Sequence, residues 1–315
     1  MTPLRAAQRV AFHIQVSARV GIGHLARSTA VFEGLAKRGI DAEVHLDADP
    51  SGRTIATSKG LIPRRLPRPP AAIIIDATNL APSVRSRVAE LSPRILISPV
   101  FEHPEVATHV LVRDANGPLR DGLAESAELV TDPDFAFVTA TGLRPAHHEY
   151  DRLIVGICLS GGVASHDVEN LIGVVASCER VKEVRVIDRQ MPNATRAVQT
   201  PITHVPTTSQ PWDFFHGVNL FVGGDGIMVA EAIAQAIPTI SLTSDERHWK
   251  NDSLVASGAV ERIRRAPLDT ARLQHLLESP ERLCAMHASA LALDGPSRAG
   301  ALVNRLAQLL RTVPT

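Results

Sequence analysis

The fold is decided by residues 10–39, whose sequence is VAFHIQVSARVGIGHLARSTAVFEGLAKRG. Apolar side chains dominate Val10–Val16, which predicts a buried strand. From about His24 to Arg38 the apolar side chains recur at helical spacing, and Gly39 follows as a helix stop. A strand, a glycine-containing turn and a helix make up the start of a βα unit. Repeated units of this kind build a parallel sheet.

The same alternation continues along most of the chain. Further apolar runs predict strands at 42–46, 71–75, 94–97, 109–112, 153–158, 184–187, 220–222 and 239–242. Helical patterns fall between or after them, among them 167–177, 227–236 and 298–310. The strand runs are continuously apolar, which indicates parallel sheets covered by helices on both faces. The predicted class is therefore doubly wound α/β.

The length and one change of composition predict two domains. A chain of 315 residues suits two domains of about 150 residues each. The stretch 131–151 contains Pro133, Gly142 and Pro145 and is typical of a linker. We therefore expect Rossmann-like domains at 1–142 and 143–315, with their sheets facing a cleft. An alternative for the final helix is that it packs back on the first domain.

Composition excludes several classes of protein. Lys and Arg together equal Asp and Glu at 33 each, so no basic excess points to nucleic acid or a membrane surface. No run approaches the ~18 apolar residues of a membrane span. The three cysteines, Cys158, Cys178 and Cys284, are far apart, and the histidines are scattered. We expect reduced thiols, a cytoplasmic protein, and neither a metal nor a cofactor; the oligomeric state is left open.

The first motif that can carry chemistry follows the first strand and consists of Gly21, Gly23, His24 and Arg27. Glycines allow a sharp turn and close approach to a ligand. A histidine at the strand–helix junction can act as a general base in its neutral form. The alternative is an ordinary βα turn with a capping histidine.

Two glycine turns in the second half are candidates for phosphate binding. Gly161 and Gly162 follow the strand at 153–159, and an ordinary turn is the alternative there. The second turn opens a helix and consists of Gly223, Gly224, Asp225 and Gly226. Its amide groups and the positive end of the helix dipole suit a pyrophosphate. Glu231, about one turn further on, can reach ribose hydroxyls; the alternative is a solvated surface glutamate.

A polar loop follows the strand at 239–242. Residues 243–251 are nearly all polar and include a tryptophan, a composition suited to sugar hydroxyls or to a solvated loop. Arg247, His248 and Asn251 are its candidate substrate contacts. The candidate substrate contacts of the first half are Gly21, Gly23, Arg27 and Asp76.

Taken in order, these motifs resemble the GT-B fold, and the second half resembles the MurG-type glycosyltransferases of family 28. In that family a glycine-rich turn precedes a helix with a glutamate for the donor ribose, which Glu231 matches. A loop facing the donor sugar follows. Asn251 matches its asparagine, and His248 falls where a glutamine is usual.

The first half is similar to PseG-like nucleotide-sugar hydrolases of the pseudaminic acid pathway and to SpsG. Their signature G-x-G-H-x-x-R is matched by Gly21, Gly23, His24 and Arg27, and the histidine is thought to activate water. The strand that ends at Asp76 and the turn at 161–162 also occur in the order found in this family. The chain departs from the family in having no tyrosine after Asp76 and in carrying Arg247 and His248 where asparagine and glutamine are usual.

These resemblances imply an inverting glycosyltransferase. Its donor would be a nucleotide-sugar, expected to be UDP-linked and held by the second domain. Its acceptor would be a small molecule or a glycan precursor, deprotonated by His24 of the first domain. Two alternatives stay open: a PseG-like hydrolase with water as acceptor, and a catalytically decayed nucleotide-sugar-binding protein.

Overall fold

The computed structural model describes residues 9–17, 23–65, 70–138, 150–159, 165–187, 199–205 and 211–312. The chain divides into two compact units. Unit 1 comprises residues 1–139 together with 300–315, and unit 2 comprises 140–299. Each unit contains a six-stranded sheet in which every pairing between strands is parallel. The predicted class, two Rossmann-like α/β domains, is confirmed.

Unit 1 has its six strands in the order β2-β1-β3-β4-β5-β6. They are β1 (Arg9–Val16), β2 (Asp41–Ala48), β3 (Ala72–Asp76), β4 (Arg94–Leu96), β5 (His109–Val112) and β6 (Glu128–Thr131). The helices are α1 (Gly23–Ala36), α2 (Pro50–Ser58), α3 (Pro82–Val88), α4 (Gly117–Asp121) and α12 (Ala301–Arg311). The direction of strand addition reverses between β1 and β3, so the carboxyl ends of these two strands form the switch point of the sheet.

Unit 2 has the strand order β12-β11-β10-β7-β8-β9, the same as in dinucleotide-binding Rossmann domains. The strands are β7 (Leu153–Cys158), β8 (Val181–Ile187), β9 (Ile202–Val205), β10 (Leu220–Gly223), β11 (Thr239–Thr243) and β12 (Val260–Arg264). The helices are α5 (Ser165–Ala176), α6 (Pro211–Phe215), α7 (Met228–Ala234), α8 (Asp252–Ala256), α9 (Thr270–Leu277), α10 (Pro280–Leu293) and α11 (Gly295–Arg298). The switch point lies between β7 and β10.

The buried strands account for the apolar runs in the sequence. All five residues of β3 and all four of β10 are buried, as expected for central strands covered on both faces. Among the described edge strands, β2 was predicted at 42–46, whereas β6, β9 and β12 were not: β6 is only half-buried, while β9 and β12 mix polar with apolar residues. The predicted linker at 131–151 therefore starts too early, on the last residue of β6.

No described helix combines the length and apolar character needed to cross a membrane.

Helix α7 is shorter than the predicted range of 227–236. It ends at Ala234 because Gln235 is already outside the helical conformation and Ala236 has a positive φ of 57°. The junction predicted between 142 and 143 lies outside the described residues, and the limits of the two domains stay a prediction.

The last helix, α12, belongs to unit 1 and packs against α1. Its apolar stripe is buried and consists of Leu302, Val303, Leu306, Ala307 and Leu310. The two helices approach closely at Gly34, where a Cβ atom would lie 2.7 Å from Cγ1 of Val303. No side chain larger than hydrogen fits there unless the valine moves.

We expect Gly34→Ala to destabilise the protein by about 1–3 kcal/mol, because overpacking against Val303 exceeds the ~0.5–1 kcal/mol that alanine gains within a helix. Urea unfolding of Gly34→Ala, Val303→Ala and the double variant measures the effect. The double variant should lose less than the sum of the single losses. Gly173→Ala is the matched control: its Cβ would meet no atom within 4 Å, so it should stabilise. Additive losses would contradict the proposed contact.

Candidate functional site

The switch point of unit 1 brings together two elements that are distant in the sequence. Strand β1 leads towards α1, in which His24 is the second residue, and β3 ends at Asp76. The two strands are neighbours, with Ile14 paired to Asp76. His24, Arg27 and Ser28 lie at positions i, i+3 and i+4 of α1 and therefore share the helix face that meets the end of β3. The sequence motif and the strand-end aspartate thus form one cluster.

The carboxylate of Asp76 is fully buried and is surrounded by donors from α1. Arg27 donates through Nε to Oδ2 at 3.1 Å and through a terminal nitrogen to Oδ1 at 2.5 Å. Ser28 donates its hydroxyl to Oδ2 at 2.8 Å. Burial alone would raise the pKa of Asp76, but the charge of Arg27, the adjacent His24 and the hydrogen bonds outweigh it and hold that pKa well below its usual range. Asp76 is therefore an ionised group inside the fold.

His24 lies against the same carboxylate, with Nδ1 2.8 Å from Oδ1 of Asp76. The ring N–H is not aimed at this oxygen closely enough for an aligned hydrogen bond, although the distance is short. The χ2 torsion of histidine is broad, so ring rotations are available to align the two groups. An ionised carboxylate only accepts, so we assign the hydrogen of the neutral ring to Nδ1. This assignment leaves the lone pair of Nε2 available to a ligand.

A second contact fixes the loop that follows Asp76. Gln15, near the end of β1, accepts from the backbone N–H of Thr78 at 2.9 Å and from its hydroxyl at 2.7 Å. The turn after β3 is therefore held against β1. Neither residue was predicted to take part in the site; Ser28 was also missed, although its i+4 spacing from His24 is a signal that could have identified it.

The switch point of unit 2 contains the second glycine turn. Gly223 is the last residue of β10 and pairs with Cys158, the last residue of β7. The next amide, Gly224 N–H, donates to the Cys158 carbonyl at 3.0 Å. At Gly223 a Cβ atom would clash with the ring of Phe221, so only glycine fits. The turn is thus fixed at the strand ends where ligands bind in Rossmann sheets.

The side chains around this turn are mostly enclosed. Glu231 is 3% exposed and lies on α7, whose residues 229–234 are all buried, so it is not a solvated surface glutamate. Asp225 forms an ion pair with Lys250, with Oδ2 and Nζ 3.3 Å apart. Lys250 comes from the loop after β11, and the pair therefore joins this loop to the glycine turn.

The predicted contacts in that loop differ in their surroundings. Arg247 and His248 are exposed, with His248 Nδ1 2.6 Å from the carbonyl of Asp245. Asn251 is fully buried, has a left-handed φ of 67°, and donates through its amide to the hydroxyl of Ser241 at 3.3 Å. A role for these three in binding substrate stays a prediction.

The remaining predicted residues have the following positions. Gly23 begins α1, whereas Gly21, Gly161 and Gly162 lie outside the described residues. Arg27 and Asp76 were predicted as substrate contacts; the structure shows them bonded to each other, and direct contact with a substrate stays a prediction. Within the described ranges, no three His, Cys, Asp or Glu side chains form a group that could hold a metal ion.

The fold resembles solved structures along nearly its whole length. MurG of Acinetobacter baumannii matches with a TM-score of 0.63 at 14% identity, over 97% of this chain and 100% of that one. S. aureus MnaA, solved with UDP, matches with a TM-score of 0.66 at 9% identity, over 95% of each chain. The calicheamicin glycosyltransferase CalG4 matches with a TM-score of 0.59 at 13% identity, over 98% and 100%.

These likenesses show that the fold is GT-B. None of the three structures is a PseG-like hydrolase or SpsG, so that part of the sequence resemblance stays a prediction. No protein-family model and no curated protein sequence matches the chain.

We expect Arg27→Met to lower the free energy of unfolding by about 3–5 kcal/mol at pH 7, because it leaves the buried Asp76 charge without its main counter-charge. The loss should shrink as the pH falls towards 4. Without the guanidinium, burial raises the pKa of Asp76, so the folded variant gains protons where the wild type does not. Urea unfolding at several pH values measures this.

Lys37→Met, an exposed substitution one residue after the same helix, is the control and should change stability by less than about 0.5 kcal/mol. A loss in Arg27→Met that does not vary with pH would contradict the ion-pair account.

Proposed function

We propose that this protein is an inverting glycosyltransferase that moves a sugar from a nucleotide-sugar donor to a hydroxyl of a small molecule or glycan precursor. The observation that carries the proposal is the buried, ionised Asp76 with His24 Nδ1 at 2.8 Å. A carboxylate in this position fixes the tautomer of a catalytic histidine and stabilises the imidazolium formed during reaction.

The proposed reaction is a single displacement. Nε2 of His24 takes the proton of the acceptor hydroxyl while its oxygen attacks C1 of the sugar. The bond between C1 and the diphosphate oxygen breaks, and the nucleoside diphosphate leaves with the electron pair. Attack opposite to the leaving group inverts the configuration at C1. Asp76 stays ionised throughout, and Arg27 and Ser28 keep it in place.

Unit 2 supplies the donor-binding residues in this proposal. The glycine turn at 223–226 offers backbone N–H groups to the diphosphate, and Glu231 accepts hydrogen bonds from ribose hydroxyls. UDP is the expected nucleotide: the sequence resembles enzymes that use UDP-sugars, and MnaA, a protein of similar fold, was solved with UDP. The base itself has no distinctive side-chain partner in the sequence.

Water is the rival acceptor. The motif of Gly21, Gly23, His24 and Arg27 also matches the nucleotide-sugar hydrolases, and the same histidine and aspartate would activate water equally well. The two activities differ in whether the donor is consumed when no acceptor is present.

The first test incubates the protein with UDP-, dTDP-, GDP- and CMP-sugars and follows nucleotide release with and without added acceptors. We expect one donor to bind, with release slow until an acceptor is supplied. His24→Ala should reduce release about 10²–10⁴-fold, with nucleotide affinity changed only a few fold. The exposed His275→Ala is the control and should behave as wild type.

Fast release without an acceptor, lost in His24→Ala, would replace the transferase by a hydrolase. Binding of a donor with no release under any condition would leave only a nucleotide-sugar-binding protein.

We also expect Glu231→Gln to weaken binding of the nucleoside diphosphate by about 1–3 kcal/mol, because a charge-assisted hydrogen bond to ribose is lost while the shape is kept. Titration calorimetry measures the change. The 2′-deoxynucleotide should be affected less than the ribonucleotide, because it has one hydroxyl fewer to bind. Glu278→Gln is the exposed control. Equal affinity in wild type and Glu231→Gln would exclude the ribose contact.

A further inference from the structure

The burial of Lys250 is the feature of unit 2 that the proposed mechanism leaves unexplained. The residue is 9% exposed, and its ammonium lies 3.3 Å from Oδ2 of Asp225 in the glycine turn. Lysine is among the side chains least often buried, because its compact charge is strongly hydrated. A buried ion pair is itself weak support for stability, since desolvation offsets its attraction. The pair is therefore better explained by a ligand than by folding.

The backbone around Lys250 is fixed. Its carbonyl accepts from Arg262 at 3.2 Å, and the same guanidinium group holds Asp252 at 2.6 Å. Trp249 before it is buried, and Asn251 after it is buried in the left-handed conformation. Because both neighbours and the carbonyl are anchored, the base of the lysine side chain is held in place. The ammonium is carried beyond this base on a four-carbon stem with several rotatable bonds.

We propose that Lys250 is the cation that binds the diphosphate of the donor, and that Asp225 pairs with its ammonium when no nucleotide is present. The inference rests on the proposed function, since it assigns a residue to the same donor site. Gly223 ends β10 beside Cys158, the end of the adjacent central strand β7, and Gly224 and Asp225 follow directly. A phosphate can approach the backbone at such strand ends. The carboxylate of Asp225 is thus a negatively charged group beside the turn, where the proposal places the diphosphate.

The role of Lys250 follows from the charges of the diphosphate and of the two side chains. A diphosphate gains negative charge as the C1–O bond breaks, and an ammonium in an enclosed site stabilises this charge more than it stabilises the ground state. Lys250 would donate N–H bonds to phosphate oxygens and keep its proton. Asp225 would then be a like-charged neighbour of the ligand, so the two residues should have opposite effects on affinity.

The test compares Asp225→Asn with the double variant Asp225→Asn/Lys250→Met. Both lack the ion pair, and neither keeps the Asp225 carboxylate without its counter-ion. Asp225→Asn does leave the Lys250 ammonium without Asp225, and the uridine and unfolding controls measure the structural effect of that loss. A difference that is specific to UDP therefore reports the lysine–phosphate contact. UDP is the probe, with dTDP, GDP and CDP as the wider panel, and binding is measured by titration calorimetry. We expect the double variant to bind UDP about 10- to 100-fold more weakly than Asp225→Asn. Asp225→Asn itself should bind UDP at least as tightly as wild type.

Binding of uridine distinguishes a lost phosphate contact from a structural change in the site. Uridine lacks phosphate, so the two variants should bind it equally, and UMP should fall between uridine and UDP. Lys182→Met, at an exposed position of β8, is the control and should leave UDP affinity unchanged. Thermal unfolding of both variants checks that each is folded.

Equal UDP affinity in the matched pair would overturn the inference, as would a loss that is as large for uridine as for UDP, because the latter means a structural role. Either result leaves the proposed function standing if the wild type binds UDP. Failure of the wild type to bind any of the four nucleoside diphosphates would reject the donor site itself, and this inference with it.

Discussion

A single ionised carboxylate that is removed from water constrains the geometry of unit 1. Asp76 must be neutralised and hydrogen-bonded where it stands, because an unpaired charge in the interior costs several kcal/mol. One face of α1 meets this requirement with Arg27, Ser28 and His24. The helix is thereby fixed against the end of β3, and the position of the imidazole beside Asp76 follows from a demand of folding. The same group that would be needed for chemistry is thus positioned by the electrostatics of the core.

The two units place their polar motifs in the same topological position. In unit 1 the cluster lies between β1 and β3, and in unit 2 the glycine turn lies between β7 and β10. At these points neighbouring strands continue in opposite directions across the sheet, so their ends are left uncovered by a connecting helix. Residues in the loops that follow these strand ends are needed less for packing than those within the strands. A chain can therefore vary the chemistry of both sites while it keeps the same pair of sheets.

How far the sequence predicts this structure depends on distance along the chain. Buried central strands such as β3 and β7 have continuous apolar runs, and the motif around His24 has local spacing, so both could be predicted. The edge strands β6 and β12 lack such runs because only part of each is covered. The bonds of Asp76 join residues 48 and 49 positions apart, which no local pattern encodes. The pairing of Lys250 with Asp225 was missed for the same reason.

The return of the chain to unit 1 has a consequence for synthesis. The helix that covers α1 is encoded by residues 301–311, whereas the sheet beneath α1 is complete by residue 131. On the ribosome, the apolar face of α1 around Gly34 therefore has no native partner until unit 2 has been translated. The nascent first unit is left with a surface that other proteins can bind. We expect this arrangement to affect the dependence on chaperones during translation more than the stability of the folded protein.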